Sequence, residues 1–229
     1  MVRGKKVPVP PMSVQEKIVT ACDKIDEECQ TARISIERYK GDIESLFQKL
    51  DTVDSYQRSR FSLSDRSKFS VSIGQRVLAS ELISNGEVPV FSANVFEPFG
   101  YVDKLLIEDF SQDSILWGID GDWMVNYYPK NQTFYPTDHC GVLRVLTDEI
   151  HPRYMARILE TEGKKLNFSR SYRASIDRIQ GITFSVPAIP LQNDVVAKVI
   201  DLEYKIADAK QKIKSLNGRK AEIIASYIN

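Results

Sequence analysis

The sequence predicts an α+β protein in which a globular head of mixed α/β structure is carried on a long antiparallel stalk of two helices in a coiled coil. Three observations predict this class. One stretch is repeated near the two ends of the chain, both copies carry an unbroken heptad pattern, and turn residues divide the segment between them into short pieces. The chain is therefore divided into a first helical region at 1–54, a head at 55–185 and a second helical region at 186–229.

The repeat aligns without a gap. Residues 9–50 fall on residues 186–227 when they are shifted by 177 positions. Identical pairs include Val9 and Val186, Pro10 and Pro187, Gln15 and Gln192, Ala32 and Ala209, and Gly41 and Gly218.

In the first copy the apolar positions are separated by steps that alternate between four and three residues, which gives a seam with a period of 3.5. These positions are Ile18, Cys22, Ile25, Cys29, Ala32, Ile36, Tyr39, Ile43, Leu46 and Leu50. The second copy matches them with one polar exception, Lys220. Each helix needs a partner, and the other copy is the nearest one. A compact head brings its two ends together, so the helices should run antiparallel. An ordinary amphipathic pair packed on a domain is the competing interpretation.

The first helix should begin at a capping box over residues 13–16, with Ser13 as N-cap and Glu16 reaching back, and should run to about Lys49. Gly41 and Gly218 recur at one place in the repeat, which indicates a close helix approach, a shared bend or chance. The polar stretch 51–70 is interpreted as a hinge.

Within the head, short segments bounded by turn residues predict strands, and a tight turn is expected at Asn85-Gly86. The predicted strands cover 72–78, 88–93, 101–107, 114–117, 141–146 and 179–186. Residues 152–162 predict a helix that ends at Gly163. The order of the strands in a sheet does not follow from these patterns.

Composition limits the function classes. Lys plus Arg and Asp plus Glu are both 31, so bulk charge alone would not hold the chain on nucleic acid. The sequence has no apolar run of membrane-spanning length and no secretory leader, which favours a cytoplasmic protein. With three cysteines, two histidines and no C-x-x-C, a zinc site is not expected.

The densest functional signal is the basic segment 163–173, which alternates cations with hydroxyl, amide and aromatic side chains. Its candidate DNA-binding residues are Lys164, Lys165, Asn167, Ser169, Arg170, Ser171, Tyr172 and Arg173. We expect the lysines to contact phosphates and the arginines to contact base edges. Further candidates are Ser92, Asn94 and Lys130. A solvated surface loop is the competing interpretation.

Two aspartates, Asp120 and Asp122, are spaced as in a metal-dependent nuclease, with Lys130 as a possible helper. Asp and Gly also favour turns, so a plain turn explains the same residues. The neighbouring Asp138, His139 and Cys140 form an isolated cluster, which is more often structural than catalytic.

The repeated helices together with five head motifs resemble the specificity subunit of type I restriction–modification enzymes. The motifs are IGQRV, VPVFSANVFEPFGYVD, LWGIDGDWMVN, FYPTDHCGVLR and FSRSYRASIDRI. Such subunits carry two target-recognition domains and two conserved helices. With a single head between two helices, this chain resembles a half-sized form.

The resemblance implies a non-catalytic DNA-binding subunit that reads part of a bipartite double-stranded target. It also implies that the helices dock methyltransferase and motor-nuclease subunits, and that S-adenosylmethionine, ATP and Mg²⁺ bind to those partners. We expect self-association through the helices, because a split target needs two heads. The alternative is a stand-alone nuclease or other DNA enzyme with a coiled-coil dimerisation arm.

Overall fold

The structure is a computed structural model that describes residues 10–52 and 58–228. Its elements in chain order are α1 (Met12–Thr52), β1 (Arg58–Ser62), β2 (Phe69–Ile73), a 3-10 turn (Ala79–Glu81), β3 (Val88–Phe91), β4 (Gly100–Val102), β5 (Ser114–Gly118), β6 (Val125–Tyr128), β7 (Tyr135–Pro136), β8 (Cys140–Val145), α2 (Pro152–Lys165), α3 (Ile176–Gln180), β9 (Thr183–Pro187) and α4 (Ile189–Ile228). They form two compact units, which divide after Val53 and after Val196, so α4 begins in one unit and continues in the other.

Helix α1 begins one residue earlier than predicted. It starts at Met12, and the carbonyl of Pro11 accepts hydrogen bonds from the backbone N–H groups of Val14 and Gln15. Ser13 therefore lies inside the first turn and is not the N-cap, so the predicted capping box is wrong. Pro11 lacks an N–H but keeps its carbonyl, which is all that the first turn requires of the residue before it.

Helices α1 and α4 pair within the chain and run antiparallel, as predicted. Residues of the first half of α1 pack against residues of the last half of α4; this cluster consists of Ile25, Cys29, Leu216, Ile213 and Ile223. Later in α1, Asp42 and Leu46 line one groove together with Ala197 and Leu202 from the first half of the α4 segment in this unit. The seam predicted from the heptads is therefore the surface along which the two helices meet.

The one polar seam residue, Lys220, pairs across the two helices. Its ammonium group lies 2.7 Å and 2.6 Å from the two carboxylate oxygens of Asp26. The Lys220 side chain is 30% exposed, so its methylene groups lie against the seam while its charge reaches the edge. The Asp26 hydrogen bond raises the pKa of Lys220. This contact links one position of each helix and favours one register of the pair.

The two repeated glycines do not mark a close helix approach. A Cβ atom added to Gly41 or to Gly218 would meet no heavy atom within 4 Å, apart from neighbours in its own helix. The close-approach interpretation is therefore wrong, and the recurrence of glycine has no packing reason in the structure.

The head contains three small sheets. The largest has the order β2-β8-β5-β6 and is antiparallel throughout. A second sheet has the order β4-β3-β7, in which β3 pairs parallel with β7, and β1 pairs antiparallel with β9. The central strand β5 is buried along its whole length, including Trp117, and forms the middle of the core.

The stretch predicted as a polar hinge, 51–70, contains β1 and the start of β2. Phe61, Leu63 and Phe69 are all buried, and Phe61 stacks on Phe184 of β9 with ring centroids 6.0 Å apart. Three apolar side chains in a polar stretch are enough to fix it to the core. Residues 53–57 of the predicted hinge lie outside the described residues.

The tight turn predicted at Asn85-Gly86 is present, because the N–H of Gly86 donates to the carbonyl of Ile83 at 3.3 Å, but it does not join β2 to β3 as a hairpin. Strand β2 pairs with β8, and β3 pairs with β4. Gly86 instead packs against the backbone of β4, where an added Cβ would lie 2.9 Å from the nitrogen of Val102. The glycine is required by that close approach.

Strands β3, β5 and β8 lie where the sequence predicted strands. Strand β2, at Phe69–Ile73, begins three residues and ends five residues earlier than predicted, and β4 ends at Val102 rather than at Ile107. The predicted last strand is present as β9 but begins four residues later than expected, because residues 176–180 form helix α3. Strands β6 and β7 were not predicted.

The head is fixed to the start of α4 by the buried side chain of Gln192, which is fully inaccessible to solvent. Its amide nitrogen donates to the carbonyls of Pro187 and Glu149, at 2.8 Å and 3.0 Å, and its oxygen accepts from the backbone N–H of His151 at 3.0 Å. In the first repeat, the amide of Gln15 donates to the carbonyl of Pro10 at 2.7 Å. The two repeats therefore share one hydrogen bond at equivalent positions.

Among residues 10–52 and 58–228, no helix contains an apolar stretch long enough to cross a lipid bilayer.

Replacing Ile36 by Asp should destabilise the stalk. Ile36 is 7% exposed, so the new carboxylate would lie unpaired in the seam, and the midpoint of thermal unfolding should fall by roughly 10 °C. Ile34, two residues away, is 61% exposed, so Ile34→Asp is the matched control and should leave the midpoint nearly unchanged. Circular dichroism melting checks both variants; equal effects would contradict the coiled-coil seam.

Candidate nucleic-acid interface

One end of the main sheet gathers the loops that carry most of the candidate residues. Strand β2 ends at Ile73 beside Gly141, and β5 ends at Gly118 beside Cys140, so these chain segments turn at the same sheet end. Strand β3 ends nearby, because the N–H of Thr137 donates to the carbonyl of Phe91 at 2.8 Å. We call the loops 74–78, 92–99, 119–124 and 137–139 the loop edge.

The basic segment after α2 is fixed to the loop edge by two tryptophans. Trp117 donates from its indole nitrogen to the carbonyl of Ala174 at 2.9 Å, in the buried interior. Trp123 donates to the carbonyl of Glu160 at 2.9 Å, and its ring occupies the space where Gly163 lacks a side chain. Phe168 is buried against Trp123, with ring centroids 5.1 Å apart. The segment is therefore held at both ends and cannot be described as a free surface loop.

At the loop edge, the carboxylate of Asp120 contacts the side chains of Arg173 and His139. Its carboxylate accepts from Nη2 of Arg173 at 2.9 Å, contacts Nε of the same guanidinium, and forms a short contact with Nδ1 of His139. The Asp120 side chain is 25% exposed, so these partners replace much of its hydration. Arg173 is therefore engaged in an ion pair, and its guanidinium occupies the Asp120 carboxylate.

The two lysines belong to α2 rather than to a loop. The helix continues past Gly163 to Lys165, which corrects the predicted end. Lys164 lies 2.5 Å from a carboxylate oxygen of Glu160, and Lys165 lies 2.7 Å from one of Glu162. Helical spacing brings these acids alongside the lysines, so the positive charge is lower than the acid-free segment 163–173 indicated.

The turn that follows α2 exposes Arg170. Ser169 and Tyr172 exchange backbone hydrogen bonds of 3.0 Å and 3.1 Å, and the Ser169 and Ser171 hydroxyls lie 3.2 Å apart. Arg170 therefore lies at the tip of a tight turn and is exposed. Asn167 turns the backbone with φ 56° and donates to the carbonyl of Lys165 at 3.4 Å. Asn167 therefore has a structural role, since it shapes the backbone at the end of α2.

The remaining candidates, Ser92, Asn94 and Lys130, do not lie at the same end of the main sheet. Ser92 and Asn94 lie in the loop edge, where the Asn94 side-chain oxygen accepts from the N–H groups of Phe96 and Glu97 at 2.9 Å and 3.2 Å. Lys130 lies at the opposite end of the main sheet, where its N–H donates to Asp113 at 2.9 Å, beside the start of β5. The structure therefore does not bring Lys130 together with the other candidates.

The prediction missed two arginines of the loop edge region, Arg76 and Arg178. Arg178 lies over the ring of Tyr172, 3.9 Å from its centroid, and donates to the carbonyl of Arg173 at 2.7 Å. Both arginines lie within motifs that carried the family resemblance, IGQRV and FSRSYRASIDRI, and that was the available signal.

Within the described residues, no group of three or more His, Cys, Asp or Glu side chains is arranged to hold a metal ion. The pair Asp120 and Asp122 is divided by Gly121, which has φ 86°, and Asp122 is exposed. The turn interpretation of this pair therefore fits the geometry.

Residues 62–217 match the family described as the type I restriction modification DNA specificity domain. The chain belongs to this family. A relative from Mycoplasma pneumoniae named as a type I specificity subunit, S.MpnORF615P, is 24% identical over 193 residues, which is 81% of this chain and 76% of that protein. A second one from the same organism, S.MpnORF289P N-terminus, is 24% identical over 143 residues, covering 62% of this chain and 67% of the relative.

Solved specificity subunits share the fold. The S subunit of M. genitalium superposes with a TM-score of 0.70 at 18% identity over 95% of this chain, and the HsdS subunit of Thermoanaerobacter tengcongensis with 0.57 at 14% identity over 97%. This chain spans only 61% and 60% of those two proteins. The predicted α+β fold with its helical stalk is confirmed.

Cys140 should resist alkylation in the folded protein. It is fully buried, and burial raises the pKa of its thiol to about 12, so almost no thiolate forms at pH 8. Half-exposed Cys22 is the internal control and should react first. Mass spectrometry after iodoacetamide treatment, with and without denaturant, checks the result; rapid labelling of native Cys140 would contradict the packing of β8.

Proposed function

We propose that residues 55–185 are the target-recognition domain of a type I specificity subunit and read one part of a bipartite double-stranded DNA target. The observation that carries this proposal is the loop edge. It holds guanidinium, hydroxyl and amide groups at one end of a rigid sheet, in a chain of the DNA specificity family. Protein groups read base edges when they are held in fixed positions, and the contacts of Asp120 and of the two tryptophans provide that rigidity.

We further propose that the chain is not itself catalytic and works with methyltransferase and motor-nuclease subunits. S-adenosylmethionine, ATP and Mg²⁺ would then bind to those partners. The ion pair of Asp120 with Arg173 and its contact with His139 support this over the stand-alone nuclease, because a metal-dependent nuclease needs that carboxylate free.

The stalk is the proposed surface for these partners. Several large apolar side chains point away from the seam: Val19 is 56% exposed, Ile34 61% and Tyr204 70%. Exposed apolar residues of this size on a paired helix are typical of protein–protein contacts.

The asymmetry between the two repeats supports self-association. Gln192 is fully buried, whereas its equivalent Gln15 is only half-buried. Val196 is 3% exposed, whereas its equivalent Val19 is 56% exposed. The first repeat thus offers, at the start of α1, an apolar surface of the kind that is covered in the second repeat. A second copy that covers it would supply the second head, and the expected target is a palindrome interrupted by a fixed spacer.

Substitutions in the basic segment should separate affinity from sequence preference. Lys165→Ala should weaken binding to all sequences about equally and reduce the salt dependence, because a lysine contacts phosphate without reading bases. Arg170→Ala should cost about 1–3 kcal/mol of discrimination at one base position, whereas Arg173→Ala should alter the site preference indirectly, by releasing Asp120 of the loop edge.

Sequencing the sites methylated by the chain with its cognate methyltransferase subunit measures both effects. Lys130→Ala, on the opposite end of the sheet, is the control. An unaltered site preference in both arginine variants would remove this segment from the reading surface.

Self-association should depend on the start of α1. Val19→Asp should reduce the dimer fraction at least tenfold, because it places a charge in the proposed apolar contact. Ile34→Asp, a similarly exposed site farther along α1, should leave the dimer of the chain alone unchanged. Multi-angle light scattering with and without the methyltransferase subunit tests this; a monomer of the wild-type chain under both conditions would contradict the proposal.

A further inference from the structure

The loop that follows β2 exposes two polar residues between two fixed points. The N–H of Gly74 donates to the carbonyl of Cys140, and the N–H of Gln75 to that of Pro136, both at 3.2 Å. After them, Val77 is 8% exposed and packs in an apolar cluster with Val88, Val90, Val102 and Tyr135. Gln75 and Arg76, which lie between these anchors, are exposed.

Gly74 allows this attachment. A Cβ atom at this position would lie 1.8 Å from the carbonyl oxygen of Pro136, a backbone atom that has no freedom to move away. The loop is therefore pressed directly onto the 136–140 turn. Gln75 and Arg76 start from a backbone that is already fixed, so little conformational entropy of the loop is lost when their side chains bind a ligand.

Arg76 lines a surface depression that also contains an acidic side chain, Asp138. A volume of about 370 Å³ is lined by Arg76, Ser92, Phe99, Thr137, Asp138 and His139. An adjacent volume of about 730 Å³ shares Asp138 and continues past Arg173 and Arg178. The two share Asp138 and form one strip along the loop edge, in which charged groups lie beside the apolar side chains of Ile73, Ile119 and Ile176.

This mixture fits base edges better than phosphates. Phosphate oxygens accept hydrogen bonds only, and the carboxylates of Asp138 and Asp177 in the strip would repel them. A base pair presents donors and acceptors side by side in the major groove: arginine pairs with guanine O6 and N7, and a carboxylate accepts from the amino group of cytosine.

Among the arginines of this strip, Arg76 keeps its donors for a ligand. Arg173 is bound to Asp120, and Arg178 donates to a backbone carbonyl while lying on the Tyr172 ring. By contrast, the Arg76 guanidinium has no hydrogen bond or ion pair to any residue of 10–52 or 58–228.

We propose that Arg76, with Asp138 in the same depression and Gln75 beside it, determines part of the DNA specificity by reading a G·C pair in the major groove. This inference rests on the proposed function, and it moves the main base contact from the predicted Arg170 and Arg173 to Arg76. Arg173 then acts as a positioning residue that holds the loop edge through Asp120.

The test is to map the sites methylated by the full chain with its cognate methyltransferase subunit, for the wild type and for Arg76→Ala, Arg76→Lys and Arg76→Gln. Arg76→Ala should lower discrimination at one guanine position by about ten- to a hundredfold. Arg76→Lys keeps the charge without the planar fork, so it should restore affinity but not discrimination. Arg76→Gln should shift the preference at that position towards adenine.

Arg66, an exposed arginine before the other end of β2, provides the matched control, and Arg66→Ala should leave the methylated sites unchanged. Melting curves of every variant confirm folding. If Arg76→Lys restores the discrimination fully, Arg76 contacts a phosphate rather than a base. If the methylated sites are unchanged in Arg76→Ala, Arg76 makes no contact with the target. Either outcome overturns this inference but leaves the proposed function intact. A wild-type complex that methylates no defined sequence overturns the proposed function itself.

Discussion

A single buried amide organises the junction on which the head depends. Gln192 has no contact with solvent, and a buried amide without partners would cost several kcal/mol of folding free energy. Its three hydrogen bonds reach the end of β9, the residue before α2 and the segment that leads into it. One side chain thus fixes the last strand of the head, its main helix and the start of α4 to one another. The equivalent Gln15 shows that the first repeat retains the same local geometry.

In the stalk, polar contacts between the two helices favour one register of α1 against α4. Apolar side chains at 3.5-residue spacing hold α1 and α4 together, but a uniform seam tolerates sliding by a heptad. The Lys220–Asp26 pair is specific to one alignment. Cys29 also lies 3.8 Å from the side-chain oxygen of Asn217, a second polar contact in the same part of the stalk. These two polar contacts thus favour one register, while the apolar seam supplies the packing.

The charges of the head explain how a chain with a net charge of zero can have a DNA-binding surface. Most cations of the predicted segment are paired with acids: Lys164 with Glu160, Lys165 with Glu162, and Arg173 with Asp120. Such a surface attracts DNA weakly at long range, so sequence-specific contacts have to supply more of the binding free energy.

The sequence by itself determined the two helices, their heptad seams and the resemblance to the family, because heptad spacing and an internal repeat are local patterns that can be recognised without knowledge of the fold. The structure decided that the two helices pair within the chain. It also located the buried strands β5 and β8. Only the tertiary structure decided the strand order, the pairing of β2 with β8 rather than β3, and the membership of the loop edge. Asp120 meets Arg173 across 53 residues and His139 across 19, and no periodicity links such positions. Gly74 shows the same limit. A glycine is required there because the carbonyl of Pro136, 62 residues away in the sequence, leaves no room for a side chain, and only the packing of the sheets brings the two residues together.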